Sequence, residues 1–132
     1  MKFLSFSRDG QATWGCVTKE GLVDLGVRHG ERFPDLKSFI AAGMPHDVLT
    51  DVGVSELGLE DVVPGPVIPN PDKIVMAASN YWEDDSDPDK GPAYPVLFLR
   101  LPCSQIGHDA PLIQPRSSRK LDFEGELAVI IG

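Results

Sequence analysis

The chain has 132 residues, 42% of them hydrophobic and 24% charged, and 20 acidic against 12 basic residues give a formal net charge of −8. That length holds one domain, or a small domain and part of another, and the composition is that of an ordinary globular protein. The acidic balance and scattered basic residues exclude nucleic acid as a partner, and no apolar stretch nears the roughly 20 residues that span a bilayer, so a cytoplasmic protein with no membrane partner is expected.

Residues 1 to about 25 read as a β-meander. Phe3, Ser5 and Ser7 alternate with Leu4 and Phe6, and Arg8-Asp9-Gly10 supplies turn chemistry. Ala12–Thr18 makes a second strand, Lys19-Glu20-Gly21 a second turn and Leu22–Leu25 a third strand. A helix follows over residues 35–42, with Asp35 as N-cap and Gly43 just past its end. A second helical piece is expected within Pro45–Val52, with His29 and His46 in surface loops.

From Pro64 to Pro71 four prolines fall in eight positions, which removes backbone donors and favours extended chain. This predicts a small N-terminal domain over 1–63, a linker over 64–72 and a second domain over 73–132. The second domain opens with a buried strand at Lys73–Ala78. Ser79 to Pro92 is a polar stretch with five acids between Glu83 and Asp89, followed by a strand over Pro95–Arg100. A turn-rich region leads to a final strand from about Phe123. The fold class is α+β and β-rich: a meander-and-helix domain, then the start of a mixed-sheet roll. Cys16 and Cys103 have no Cys-x-x-Cys spacing, so neither a disulfide framework nor a structural zinc site is expected.

The chemistry concentrates at the end, Leu121-Asp122-Phe123-Glu124-Gly125-Glu126-Leu127-Ala128-Val129-Ile130-Ile131-Gly132. In a strand, residues two apart project from the same face, so Glu124 and Glu126 would stand side by side. Adjacent carboxylates repel unless a cation sits between them, and a hard divalent ion takes oxygen ligands. The bland alternative is a strand leaving the core with both glutamates in water. Arg116, Arg119 and Lys120 form the only basic cluster, expected in a solvated loop.

The order of features resembles the fumarylacetoacetate hydrolase family. A strand leads to Asn80-Tyr81 and a polar loop, then come Tyr94-Pro95-Val96-Leu97-Phe98-Leu99-Arg100, Ser104-Gln105-Ile106-Gly107-His108 and the closing Glu124-Gly125-Glu126 motif. The resemblance implies a divalent-metal enzyme, with Mg²⁺ or Mn²⁺, acting on a small 2-oxo or 2,4-dioxo acid by C–C cleavage, decarboxylation or tautomerisation. It assigns Glu124 and Glu126 as two metal ligands and expects a third, an Asp, past Gly132. Two ligands alone would hold Mg²⁺ weakly. It puts Arg100 near a substrate carboxylate and Tyr81 beside the substrate.

Where the family shows a His and a Glu after Asn-Tyr, this chain has Asp84 and Asp87, weaker bases unless burial or crowding raises them. A missing His favours tautomerisation or decarboxylation over hydrolysis. The expected partner besides the substrate is a second copy in a homodimer, or a complementary C-terminal chain. The alternative is a non-catalytic fragment that needs the missing C-terminal part.

Overall fold

A computed structural model describes residues 1–55, 57–81 and 94–132. The chain is α+β and β-rich, with antiparallel sheets and a few short helices. It divides into two compact units: Met1–Ile68 with Ile106–Gly132, and Pro69–Gln105.

The first unit is built on a four-stranded sheet in the order β3-β2-β1-β4. Strand β1 (Lys2–Arg8) pairs antiparallel with β2 (Gln11–Val17) from Lys2↔Val17 to Arg8↔Gln11. Asp9 and Gly10 alone close this hairpin, both at positive φ (50° and 77°), the backbone that matches a two-residue turn to the twist of its strands. Strand β3 (Leu22–Asp24) continues the sheet through Cys16↔Val23 and Val17↔Leu22.

The register explains why the sheet is buried on both faces. Phe3 lies opposite Cys16 and Ser5 opposite Trp14, so these side chains share one face with Val23. There Trp14, Cys16 and Val23 meet Leu25, Phe33, Leu36, Phe39, Val48 and Ile68 in the main core. On the other face Phe6 and Leu22 pack with Leu57 and Val62, flanked by Leu4 and Val17. Rings dominate the main core: Trp14 stacks on Phe39 at 4.8 Å, while Phe3 and Phe33 approach the same ring at 5.6 Å. The indole N–H of Trp14 donates to the Phe33 carbonyl at 2.9 Å, so its one polar atom is satisfied inside.

Three short helices cover the main core. The third strand ends at Asp24, one residue earlier than the apolar pattern suggests, because Asp24 caps helix α1 (Leu25–His29) by accepting from the Val27 amide at 3.0 Å. Helix α2 (Leu36–Ala41) starts at Asp35 as expected, through a capping box in which Asp35 and Ser38 satisfy each other's backbone amides. It stops before Gly43, which adopts φ 76°, a conformation that disfavours any residue with a Cβ. Helix α3 (His46–Thr50) falls inside the segment expected to be helical.

Both histidines assigned to loops are therefore helical instead: His46 opens α3, and His29 closes α1 with its side chain only 14% exposed. Its Nε2 lies 3.1 Å from Asp51, and Arg28 donates to the Asp51 carbonyl at 3.2 Å. The two helix ends are tied together by contacts between residues more than twenty positions apart, which no local pattern announces.

The proline-rich stretch also does more than connect. Strand β4 (Val63–Pro64) pairs with β1 through Phe6↔Pro64 and Ser7↔Val63. Proline is tolerated there because β4 is an edge strand. Val62 and Ile68 are buried, and the Ser5 hydroxyl donates to the Val67 carbonyl at 2.7 Å.

The second unit holds one antiparallel pair, β5 (Ile74–Ala78) and β6 (Val96–Arg100), running from Ile74↔Arg100 to Ala78↔Val96. Strand β5 is only half-buried, contrary to the expectation of a buried strand, with Val75 54% exposed. Among the described residues of this unit there are two strands, and two strands cannot enclose side chains on either face. A 3₁₀ turn at Pro102–Ser104 follows.

Residues 106–132 return to the first unit, where Gly107 passes so close to Pro64 that a Cβ would collide with its carbonyl. The final strand expected from Phe123 does not form: residues 121–132 carry neither helix nor strand and are exposed. A strand exists by its ladder, and no described segment supplies one here. Apolar residues suited to a buried strand are left in water, Phe123 at 89% exposure and Leu127 at 85%.

Candidate metal and substrate site

The site residues expected from sequence fall into both units and into one stretch outside the described residues. Glu124 and Glu126 lie in the irregular segment of the first unit, and both are exposed. The chemistry of the pair suits a hard cation, since each offers carboxylate oxygens. The geometry does not. Same-face alignment of residues two apart requires a strand, and this segment has none. Among the described residues, no three His, Cys, Asp or Glu side chains gather where they could hold a metal ion. The pair as it stands thus offers the right donor atoms without a site, and a Mg²⁺ or Mn²⁺ ion is not accommodated by it alone.

His108 does not change this. Its side chain is 78% exposed, and its nearest charged partner is the adjacent Asp109 at 3.4 Å.

In the second unit, Arg100 is the last residue of β6, opposite Ile74, and exposed. Its neighbours Leu99 and Leu101 are also exposed, at 72% and 71%. A guanidinium can capture a carboxylate through two parallel hydrogen bonds. Tyr81 lies three residues after β5, beyond a sharp bend at Ser79, whose φ is 54°. Asp84 and Asp87, the candidates for proton transfer, lie outside the described residues, as does Trp82.

Sequence reasoning passed over several ionic contacts of the first unit. Asp24 is 5% exposed, and besides capping α1 it accepts from the Thr13 hydroxyl at 2.7 Å. Arg32 bridges to Asp47 at 2.6 Å while lying over the Phe33 ring. That hydrogen bond from Arg32 holds the Asp47 carboxyl below its ordinary 3.8. An Asp placed one residue before an apolar helical turn was the available signal for Asp24; nothing local marks the other pair. An open cleft lined by Arg8, Gln11, Thr13, Asp24 and Val27 lies at the first hairpin and includes none of the site residues expected from sequence.

Comparison with known proteins bears on the second half of the chain. Residues 72–132 match the fumarylacetoacetate (FAA) hydrolase C-terminal domain. An uncharacterised protein of Pyrococcus abyssi is 44% identical over 66 residues, covering 47% of this chain and 28% of that protein. The mitochondrial oxaloacetate tautomerase of Xenopus laevis is 33% identical over 66 residues, covering 49% of this chain and 21% of the relative. Its human counterpart is 32% identical over the same length and share. The matched part of the chain spans only 21–28% of the length of these relatives.

Proposed function

We propose that the chain is part of a divalent-metal-dependent enzyme of the fumarylacetoacetate hydrolase family acting on a small 2-oxo or 2,4-dioxo acid; the support is the match of residues 72–132 to that family's C-terminal domain. The observation that carries this is the family match itself, which runs through Tyr81, Arg100, Glu124 and Glu126. Relatives described as oxaloacetate tautomerases favour tautomerisation among the reactions of such acids. Absence of His from the stretch after Asn80-Tyr81 points the same way, because tautomerisation moves a proton and needs no activated water as nucleophile.

In this reading Glu124 and Glu126 supply two oxygen ligands to Mg²⁺ or Mn²⁺, and further donors come from outside the described residues. Arg100 pairs with a substrate carboxylate, and the Tyr81 hydroxyl donates a hydrogen bond to it. Asp84 or Asp87 takes and returns the proton at the carbon next to the oxo group. We place residues 1–63 as a leading domain, 64–72 as its connection and 73–132 as part of the catalytic domain, acting in the cytoplasm as a homodimer or with a complementary C-terminal chain. Among the described residues no helix is long and apolar enough to cross a membrane.

A second reading has its own support. The match covers 21–28% of these relatives, and the described residues bring no three metal donors together. On that reading the chain does no chemistry alone and requires the remainder of the roll.

The test is an oxaloacetate enol-to-keto assay and an acylpyruvate hydrolysis assay on the purified chain with Mn²⁺ or Mg²⁺. Metal-dependent turnover that falls about a hundredfold or more in Glu124→Gln supports the enzymatic reading. Turnover indifferent to both Glu124→Gln and Glu126→Gln refutes their assignment. No turnover at any metal concentration supports the second reading.

A further inference from the structure

We infer that the cleft at the first hairpin binds a small organic cation, a primary ammonium group on a short apolar chain, held by the carboxylate of Asp24. The cleft lies within the first unit and has a volume of about 440 Å³. It shares no residue with the site proposed above, so the two readings stand or fall separately.

Asp24 carries the inference. It is only 5% exposed, and burying a carboxylate is costly unless its oxygens find donors. Both of its donors go to one oxygen: the Thr13 hydroxyl donates to Oδ1 at 2.7 Å, and the Val27 amide to the same atom at 3.0 Å. Among the described residues Oδ2 takes no hydrogen bond and no ion pair, and it is not sealed from solvent. Since Asp24 lines the cleft, Oδ2 is the acceptor that a ligand there can reach.

The rest of the lining sets the class of ligand. Asp9 and Asp24 stand against one guanidinium, that of Arg8, whose Nε already lies 3.8 Å from Asp9 Oδ2, so the lining carries one carboxylate in excess. An ammonium group brings three N–H donors. The acceptors available to it are Asp24 Oδ2, a lone pair of the Thr13 hydroxyl and the side-chain carbonyl of Gln11. A lone buried carboxylate falls short of the oxygen shell that Mg²⁺ or Ca²⁺ demands. Ala12 and the exposed Val27 line the same space, apolar surface that an alkyl chain would cover. Gly26 permits this arrangement: α1 passes so close to β2 that a Cβ there would collide with the Thr13 hydroxyl.

The experiment titrates the full chain with n-butylammonium at constant chloride and follows the backbone amide resonances by NMR. We expect saturable shifts confined to residues 8–13 and 24–27, with half-saturation in the millimolar range because the cleft is open to water. Tetramethylammonium has the same charge and no N–H donor, and should bind about tenfold more weakly, the loss of one charge-assisted hydrogen bond. Asp24→Asn should weaken butylammonium by about tenfold or more. Asparagine still caps α1 through its side-chain oxygen, while it presents a donor where Oδ2 stood.

Equal shifts with the two cations overturn the inference, because they reduce it to screening of charge. Undiminished binding in folded Asp24→Asn overturns it by putting the cation elsewhere, and a lack of saturable shifts at these residues removes the site. Butyrate binding in place of butylammonium also overturns it, making Arg8 the anchor of an anion site. Should Asp24→Asn fail to fold, the comparison of the two cations and butyrate on the unaltered chain decides.

Discussion

Replacing Phe39 by alanine should cost the first unit a large share of its stability. Phe39 is fully buried and is the ring on which three others converge: Trp14 stacked at 4.8 Å, Phe3 and Phe33 inclined at 5.6 Å. Truncation removes the buried ring and leaves a void that Trp14, itself held by the Phe33 carbonyl, cannot collapse to fill. Such changes cost about 3–5 kcal/mol, against total stabilities of about 5–15 kcal/mol for small domains. With an unfolding slope near 1.5 kcal/mol/M in urea, the midpoint should fall by about 2–3 M. The assay is urea denaturation followed by Trp14 fluorescence in a Trp82→Phe background, so that the signal arises beside the lesion. Should Phe39→Ala fail to fold, Phe39→Leu keeps the test alive, with an expected loss of about 1–1.5 kcal/mol. A midpoint shift below about 0.5 M for Phe39→Ala would refute the placement of this ring at the centre of the core.

Further predictions concern polar and backbone contacts of the same unit. Asp24→Ala removes the α1 cap and strands the Thr13 hydroxyl, and should lower stability by about 2 kcal/mol in the same titration; a neutral outcome would mean that α1 does not depend on its cap. Asp47 has a carboxyl pKa depressed in the folded state by the Arg32 hydrogen bond, so its contribution is present above the ordinary 3.8 and is lost as pH falls below that value. Asp47→Asn should therefore flatten the acid limb of the melting-temperature profile below about pH 4, and coincident profiles would contradict this. Gly15→Ala should prevent closure of the β2–β3 pair, because a Cβ there would collide with the Val23 carbonyl, and a folded variant with wild-type exchange protection of β3 would disprove that packing.

Local chemistry made much of the first unit legible. Arg8-Asp9-Gly10 carried the chemistry of a turn, Asp35 could cap the first amides of a helix, and Gly43 could end it. Each of these depends on residues within four positions of one another. The closing Glu-x-Glu motif was equally visible, and it carries the resemblance to the fumarylacetoacetate hydrolase family.

Contacts distant in sequence were not legible. His29 meets Asp51 across twenty-two positions, and Val63–Pro64 returns to pair with Ser7 and Phe6 across more than fifty. The prolines mark the chain from Pro64 as extended yet cannot name the edge that receives it. The same limit governs the candidate site. Sequence determines that Glu124 and Glu126 are carboxylates separated by one glycine in a strand-like pattern. Whether they stand together is decided by the ladder beside them, because hydrogen bonds to another segment, and not the residues' own preferences, hold a strand straight.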